Sequence, residues 1–203
     1  MNGLTPLLLL AMFIGVGFGW RSWLHRRRFG GSGVVLFRSG RRSQHLREAS
    51  LLLLVVVLIA QAVAVLVAPS LVEAMRVFPS TDAMWWIGMA LMLAATALMV
   101  IAQLDMGASW RVGLDEGARP GLVVGGLYRV CRNPIYVALF TALTGYALLL
   151  PTWLSWGLVA STIVGVRRQV VVEEAYLLRA YGAAYTAYAH RVGRFIPTLG
   201  RLS

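Results

Sequence analysis

Lysine is absent from this chain of 203 residues, and cysteine occurs once. A single thiol, Cys131, excludes an intramolecular disulfide. It stands next to Arg132 but has no partner at a spacing suited to a nucleophile or a metal ligand, so it reads as a packing residue. The three histidines, His25, His45 and His190, are scattered and form no zinc pattern, so no metal site is expected. Acidic residues are scarce, eight against nineteen basic ones, for a formal charge of +11. Charged residues make up 13% of the chain and hydrophobic ones 59%, with mean hydropathy +0.72, which excludes an ordinary soluble domain. The charge does not imply nucleic acid as a partner, because the arginines flank long apolar runs, where they orient membrane helices.

Residues 4–20 form the first such run. No basic stretch precedes it and no small-residue cleavage site follows, so it reads as a retained transmembrane helix. Residues 21–47 read as a basic connection carrying Arg21, Arg26, Arg27, Arg28, Arg38, Arg41, Arg42 and Arg47, with Gly30-Gly31-Ser32-Gly33 in its middle. The excess of arginine assigns it to the cytoplasm and the N-terminus to the outside, and places it to lie along anionic headgroups. Residues 49–72 are the strongest span, roughly 36 Å of helix at 1.5 Å per residue. A short outer loop, 73–82, leads to a third span at 83–104, with Trp85 and Trp86 at its outer end and a small-residue face of Gly88, Ala90, Ala94, Ala95 and Ala97 suited to close helix packing.

Residues 105–132 are polar and glycine-rich, including Asp115 to Pro120, and read as an ordered loop. Two further apolar elements, 134–150 and 153–166, meet at the uncharged turn Leu150-Pro151-Thr152. The second is too short to cross a bilayer and is expected to continue past Arg167 and Glu173 to about Tyr181, with Gly182 as the stop. The expected fold is all-α, an integral membrane bundle of about five transmembrane helices with a cytoplasmic C-terminal helical segment. Residues 1–104 hold three spans and the basic cytoplasmic loop 21–48. Residues 105–203 hold a core of loop, helical hairpin 134–166, cytoplasmic helix and tail. The expected location is the inner cell membrane, multi-pass, with active site and C-terminus in the cytoplasm.

Polar chemistry brackets the last hairpin. Asn133 is a favoured N-cap and Pro134 a favoured first helical residue, so Asn133-Pro134 marks a cytoplasmic helix start. Its free N–H groups suit an anion, with Arg129 and Arg132 beside it. Glu173 and Glu174, adjacent on a helix, point about 100° apart and cannot do the same job. Tyr181, Tyr185 and Tyr188 fall along one helical face, followed by Arg191 and Arg194, which suit a phosphate or a cofactor carboxylate.

In order and spacing, Gly126-Leu127-Tyr128-Arg129, Arg132-Asn133-Pro134-Ile135-Tyr136, Glu173-Glu174, Tyr181-Gly182, Tyr185, Tyr188, Arg191-Val192 and Arg194-Phe195-Ile196-Pro197 resemble the superfamily of isoprenylcysteine carboxyl methyltransferases and phospholipid methyltransferases, which are integral-membrane enzymes. The resemblance covers the C-terminal half. It implies S-adenosylmethionine as methyl donor, bound on the cytoplasmic side, and a lipid-side opening for an apolar acceptor. Carried over, Tyr128, Arg129, Arg132, Asn133, Pro134 and Tyr136 would contact the donor from one side and Glu174 from the other, with Tyr185 and Tyr188 closing the pocket. Glu173 and Arg132 would be the catalytic residues, with the assignments of Glu173 and Glu174 open to exchange. The family motif usually reads Arg-His-Pro; Asn133 stands in place of that histidine and cannot titrate, so it serves as a contact or a cap and not as a base.

The implied function is transfer of a methyl group from S-adenosylmethionine to an apolar or membrane-partitioned acceptor: a prenylcysteine carboxylate, a phospholipid amine or a thiol. Two other functions fit the same architecture, a non-catalytic lipid-binding scaffold and an NADPH-dependent membrane reductase. The Gly125-Gly126 pair is a weak nucleotide cradle for the latter.

Overall fold

The computed structural model describes residues 3–38, 42–113 and 121–201. Arg41 of the basic stretch and Asp115 to Pro120 of the polar loop lie outside the described residues. Among the described residues seven helices follow in order: α1 (Leu4–Phe29), α2 (Arg42–Val67), α3 (Pro69–Ala74), α4 (Asp82–Met106), α5 (Pro134–Leu149), α6 (Trp153–Tyr181) and α7 (Ala183–Arg191). Among the described residues only isolated β-bridges occur, and no strand. The chain is a membrane helical bundle. Leu4–Phe29, Arg42–Val67 and Asp82–Ser109 are long and apolar enough to cross a bilayer, and α5 is a shorter apolar helix beside them. Exposed Leu52, Leu53, Val56 and Ile59 give α2 an outer face suited to lipid.

The basic stretch is not a loop over most of its length. α1 runs on through Arg21 to Phe29, with a π-helical segment at Gly15–Trp20, and stops at Gly30. Gly30 adopts φ 80°, and its N–H bonds the Arg26 carbonyl in a left-handed cap. Arginine is a good helix former, so nothing breaks the helix sooner. Arg21 is 1% exposed and lies on no headgroup: its guanidinium donates to the Gln103 and Gly107 carbonyls at 3.1 and 2.7 Å, at the C-terminus of α4, and covers the Trp110 ring. The second span also differs from expectation, beginning at Arg42 and ending at Val67. Pro69 has no N–H to continue it and instead opens α3.

α5 is the centre of the bundle: its Ala138, Ala142, Leu143 and Tyr146 pack with Leu10 and Phe13 of α1, Leu58 of α2 and Met92 and Ala95 of α4. Lipid removes the hydrophobic drive between helices, so close backbone approach matters more. Gly88 of α4 and Gly145 of α5 provide it, each leaving 2.7 Å between a notional Cβ and the other's carbonyl oxygen. Of the alanines expected on this face only Ala95 is buried; Ala90, Ala94 and Ala97 are exposed. At the opposite end from the basic residues, Val77 N–H bonds the Pro151 carbonyl and Trp153 N–H the Met75 carbonyl, fastening the 150–153 turn. Trp85, Trp86 and Trp153 start helices at this end, and Trp86 and Trp153 are about three-fifths exposed, as an interfacial belt requires.

Candidate active site

The turn leading into α5 is shaped by Gly126, whose φ of 55° leaves no room for a side chain: a Cβ there would stand 2.2 Å from Asp105 Oδ2. That carboxylate instead accepts the Leu127 N–H at 2.8 Å. Residues Gly126–Arg129 form one 3-10 turn, and the chain then pairs with the tail, Arg132 N–H donating to the Gly193 carbonyl at 2.9 Å. Asn133 precedes α5 as its sequence implies, but its side chain does not cap the helix. Nδ2 donates to the Arg194 carbonyl at 3.0 Å, while the Asn133 carbonyl accepts from Tyr136 and Val137. The side-chain amide is thus turned to the tail, and its oxygen does not accept from the helix start.

On α6 the two carboxylates diverge. Glu174 turns inward, accepting from Arg132 at 2.8 Å and from Arg194 at 3.0 and 2.6 Å. Glu173 turns to α5, where its Oε1 accepts from Tyr136 Oη and from Gln169 Nε2, both at 2.8 Å. The Arg132 side chain is 2% exposed and also donates to the carbonyls of Ala189, Val192 and Gly200, at 2.7, 3.2 and 2.9 Å. A buried guanidinium needs this many acceptors to offset its lost hydration. Tyr188 Oη donates to the Tyr128 carbonyl at 2.6 Å, and Tyr185, Tyr188, Ala189 and Val192 form a small apolar core under the tail.

Burial sets the titration of these groups. It raises the Glu173 carboxyl above its ordinary value, against the opposing pull of the bonds from Gln169 and Tyr136 and the charge of Arg47. Burial, then the charge of Glu174, pushes Tyr185 up to about 12, and burial first raises Tyr128 and Tyr188 as well, so all three phenols keep their protons at neutral pH. Burial likewise raises the Cys131 thiol, which lies against the Phe195 carbonyl at 3.3 Å in a packing position.

Tyr128, Arg132, Asn133, Tyr136, Glu173, Glu174, Tyr185 and Tyr188 therefore gather around one junction of α5, α6, α7 and the tail. Pro134 is buried at the base of α5, and Arg129 is exposed. Arg132 and Glu174, expected to hold opposite ends of a ligand, hold each other. Tyr185 and Tyr188 are 1% and 5% exposed and pack against the tail. Arg194 neutralises Glu174 rather than waiting for a phosphate. Gln169 and Asp105 were missed. Gln169 lies four residues before Glu173, a spacing that places the two side chains together on a helix; no local signal marks Asp105.

Two polar atoms in the cluster, Arg132 Nε and Gln169 Oε1, are buried with no hydrogen-bond partner. One is a donor fit for a carboxylate and the other an acceptor fit for an N–H group, so the residues present suit a ligand bearing both.

The phospholipid methyltransferase family profile matches residues 83–184, half of the chain, spanning α4, α5 and α6. The fold is similar to that of the eukaryotic intramembrane Ras methyltransferase, isoprenylcysteine carboxyl methyltransferase, with a TM-score of 0.63 and 17% identity, covering 99% of this chain and 73% of that one. At that identity the likeness speaks for the fold alone. No curated protein matches the sequence significantly.

Proposed function

The chain belongs to the phospholipid methyltransferase family, and on that premise we propose that it transfers a methyl group from S-adenosylmethionine to a membrane-partitioned acceptor: a prenylcysteine carboxylate, a phospholipid amine or a thiol. The observation that carries the reading is the junction itself: Glu173 held by Tyr136 beside the Arg132–Glu174 pair, with one buried donor and one buried acceptor left over. Arg132 Nε would take the donor's carboxylate, and Gln169 Oε1 its ammonium. Glu174, already shared by Arg132 and Arg194, serves to hold Arg132 in place.

When bound, S-adenosylmethionine supplies an electrophilic methyl on a sulfonium, which keeps the electron pair of the broken C–S bond as the acceptor's lone pair forms the new bond. The chain's part is to orient, exclude water and move a proton. Tyr136 and Gln169 fix Glu173 in one rotamer. Its raised affinity for protons brings it nearer to the acidity of the groups it would serve, so it takes the proton that an amine or thiol must lose. A carboxylate acceptor would need no such step.

The arginines at the ends of α1 and α2, and the tryptophan belt at the other end, support a topology with the N-terminus outside and the junction facing the cytoplasm, in the inner membrane. Calorimetric titration of the purified protein with S-adenosylmethionine and with NADPH, followed by labelled-methyl transfer to prenylcysteine, phospholipid and thiol acceptors, tests the proposal. Donor binding with transfer to one acceptor class is expected. Binding of neither ligand would leave a lipid-binding scaffold, and binding of NADPH alone a reductase.

A further inference from the structure

Arg21 is the largest of the almost wholly buried side chains among the described residues. A charge so placed is costly unless its hydrogen bonds are met. One terminal nitrogen of Arg21 makes both of its bonds, to the Gln103 and Gly107 carbonyls at the end of α4, and the Trp110 ring lies 4.8 Å from the guanidinium carbon. Gln103 Nε2 returns a bond to the Gly17 carbonyl at 2.8 Å, one turn before Arg21. His25, one turn after it, sets its ring against Trp110. α1 and the last turn of α4 therefore grip each other, and the cation meets carbonyls that have no partner within their own helix.

That same turn carries Asp105. Between Gln103 and Asp105 the helix rotates by about 200°, so Asp105 points away from α1. Its Oδ2 accepts the Leu127 N–H at 2.8 Å, and its carboxylate fills the space that Gly126 leaves by having no side chain. The Gly126–Arg129 turn carries Tyr128, whose carbonyl accepts from Tyr188, and leads directly to Arg132, the buried partner of Glu174. The end of α4 is thus held on one side and holds the site turn on the other. Helix ends open first, so the cap on this one governs how firmly Asp105 is placed. Arg21 lies outside the region that the family profile matches, whereas Asp105, Gly126 and Arg132 lie inside it.

The geometry points to Arg21 as a positioning residue for the donor site: it fixes the last turn of α4, and through Asp105 the Gly126–Arg129 turn, so that Tyr128 and Arg132 are presented to S-adenosylmethionine. The inference rests on the methyl-transfer reading. Arg21 itself touches neither donor nor acceptor, and its influence passes through the backbone of α4 and the Asp105 carboxylate.

Hydrogen exchange at the Leu127 amide and calorimetric titration with S-adenosylmethionine, both on the full chain in detergent, test it. Arg21→Met should speed Leu127 exchange and weaken donor binding, each by about tenfold or more, the yield of one hydrogen bond to a charged group. Arg21→Lys should keep most of both, because a single nitrogen makes both bonds. Trp110→Leu, which uncovers the guanidinium, should shift both readings in the same direction and less, and serves if Arg21→Met does not fold. Arg26→Gln, an exposed arginine on the same helix, should change neither. Gly145→Ala, which strains the bundle at Gly88, should leave Leu127 exchange and donor binding unchanged. Asp105→Ala should weaken donor binding as Arg21→Met does, and the double variant should bind no worse than Asp105→Ala alone, since the two lie on one path. Unchanged exchange at Leu127 in Arg21→Met overturns the inference. So do equal effects of Gly145→Ala, which would make Arg21 a stabiliser of the fold only, and losses that multiply in the double variant. A wild type that binds no S-adenosylmethionine sinks the methyl-transfer reading, while Leu127 exchange still decides whether Arg21 holds the turn.

Discussion

Replacing Glu174 by glutamine should release the tail. Glu174 is the carboxylate between Arg132, whose side chain is 2% exposed, and Arg194, whose side chain is 35% exposed. Removing one partner of a buried pair costs about 3–5 kcal/mol, because the other charge remains buried. Three backbone carbonyls still accept from Arg132, which argues for the lower end, about 3 kcal/mol. The Arg194 share, screened by solvent, adds about 0–1 kcal/mol. All three carbonyls belong to residues 189–200, so the loss falls on the tail and not on the membrane helices. Hydrogen exchange reads it at the amides of Arg194 and Leu199, which bond the Leu199 and Ile196 carbonyls. A loss of about 3 kcal/mol accelerates opening-limited exchange by about a hundredfold. Arg132→Met should act on the same amides, and the double variant should cost less than the sum of the two. Additivity within about 0.5 kcal/mol, or unchanged exchange at Arg194 and Leu199, would refute the reasoning.

Three further perturbations follow from the geometry. Glu173→Gln should lower transfer to an amine or thiol by about a hundredfold or more, yet raise stability at neutral pH. The native carboxyl titrates above its unfolded value, so its contribution is full below that value and is lost as pH rises through the raised one. Melting curves of variant and wild type should therefore coincide near pH 4 and separate, variant higher, toward pH 8; the opposite order would contradict the assignment. Gly126→Ala combines a positive φ with a clash against Asp105 and forfeits the Leu127 bond, a cost of about 3 kcal/mol in thermal unfolding, with weakened donor binding. Gly145→Ala should cost about 1–3 kcal/mol because its Cβ meets the Gly88 carbonyl at 2.7 Å, whereas Gly157→Ala, with nothing within 4 Å, should cost nothing measurable.

What the sequence revealed divides by the range of the interaction. The ends of α5 and α6 were legible because Pro134, Thr152 and Gly182 act on the backbone next to them. The end of α1 was misplaced, since arginine was read as loop chemistry although the local breaker is Gly30. Which small residues of α4 pack was invisible, because α5 decides it through Gly145. In the site, the different directions of Glu173 and Glu174 followed from helix geometry, but one of the two partners of Glu174 is Arg194, twenty residues away on a tail whose path no periodicity announces.

The wide turn at Gly15–Trp20 has a geometric consequence for the first helix. Leu10, Phe13, Gly17, Arg21 and His25 are all buried, at spacings of three, four, four and four. At 3.6 residues per turn a regular helix would drift by about 60° over that length. The looser coil absorbs the drift, so the half that meets Leu58 and Tyr146 and the half that meets Gln103 and Trp110 stay in phase. α1 thus behaves as two rods joined by a phase corrector, and its glycines at 15, 17 and 19 act as a gear between the apolar bundle core and the C-terminal end of α4.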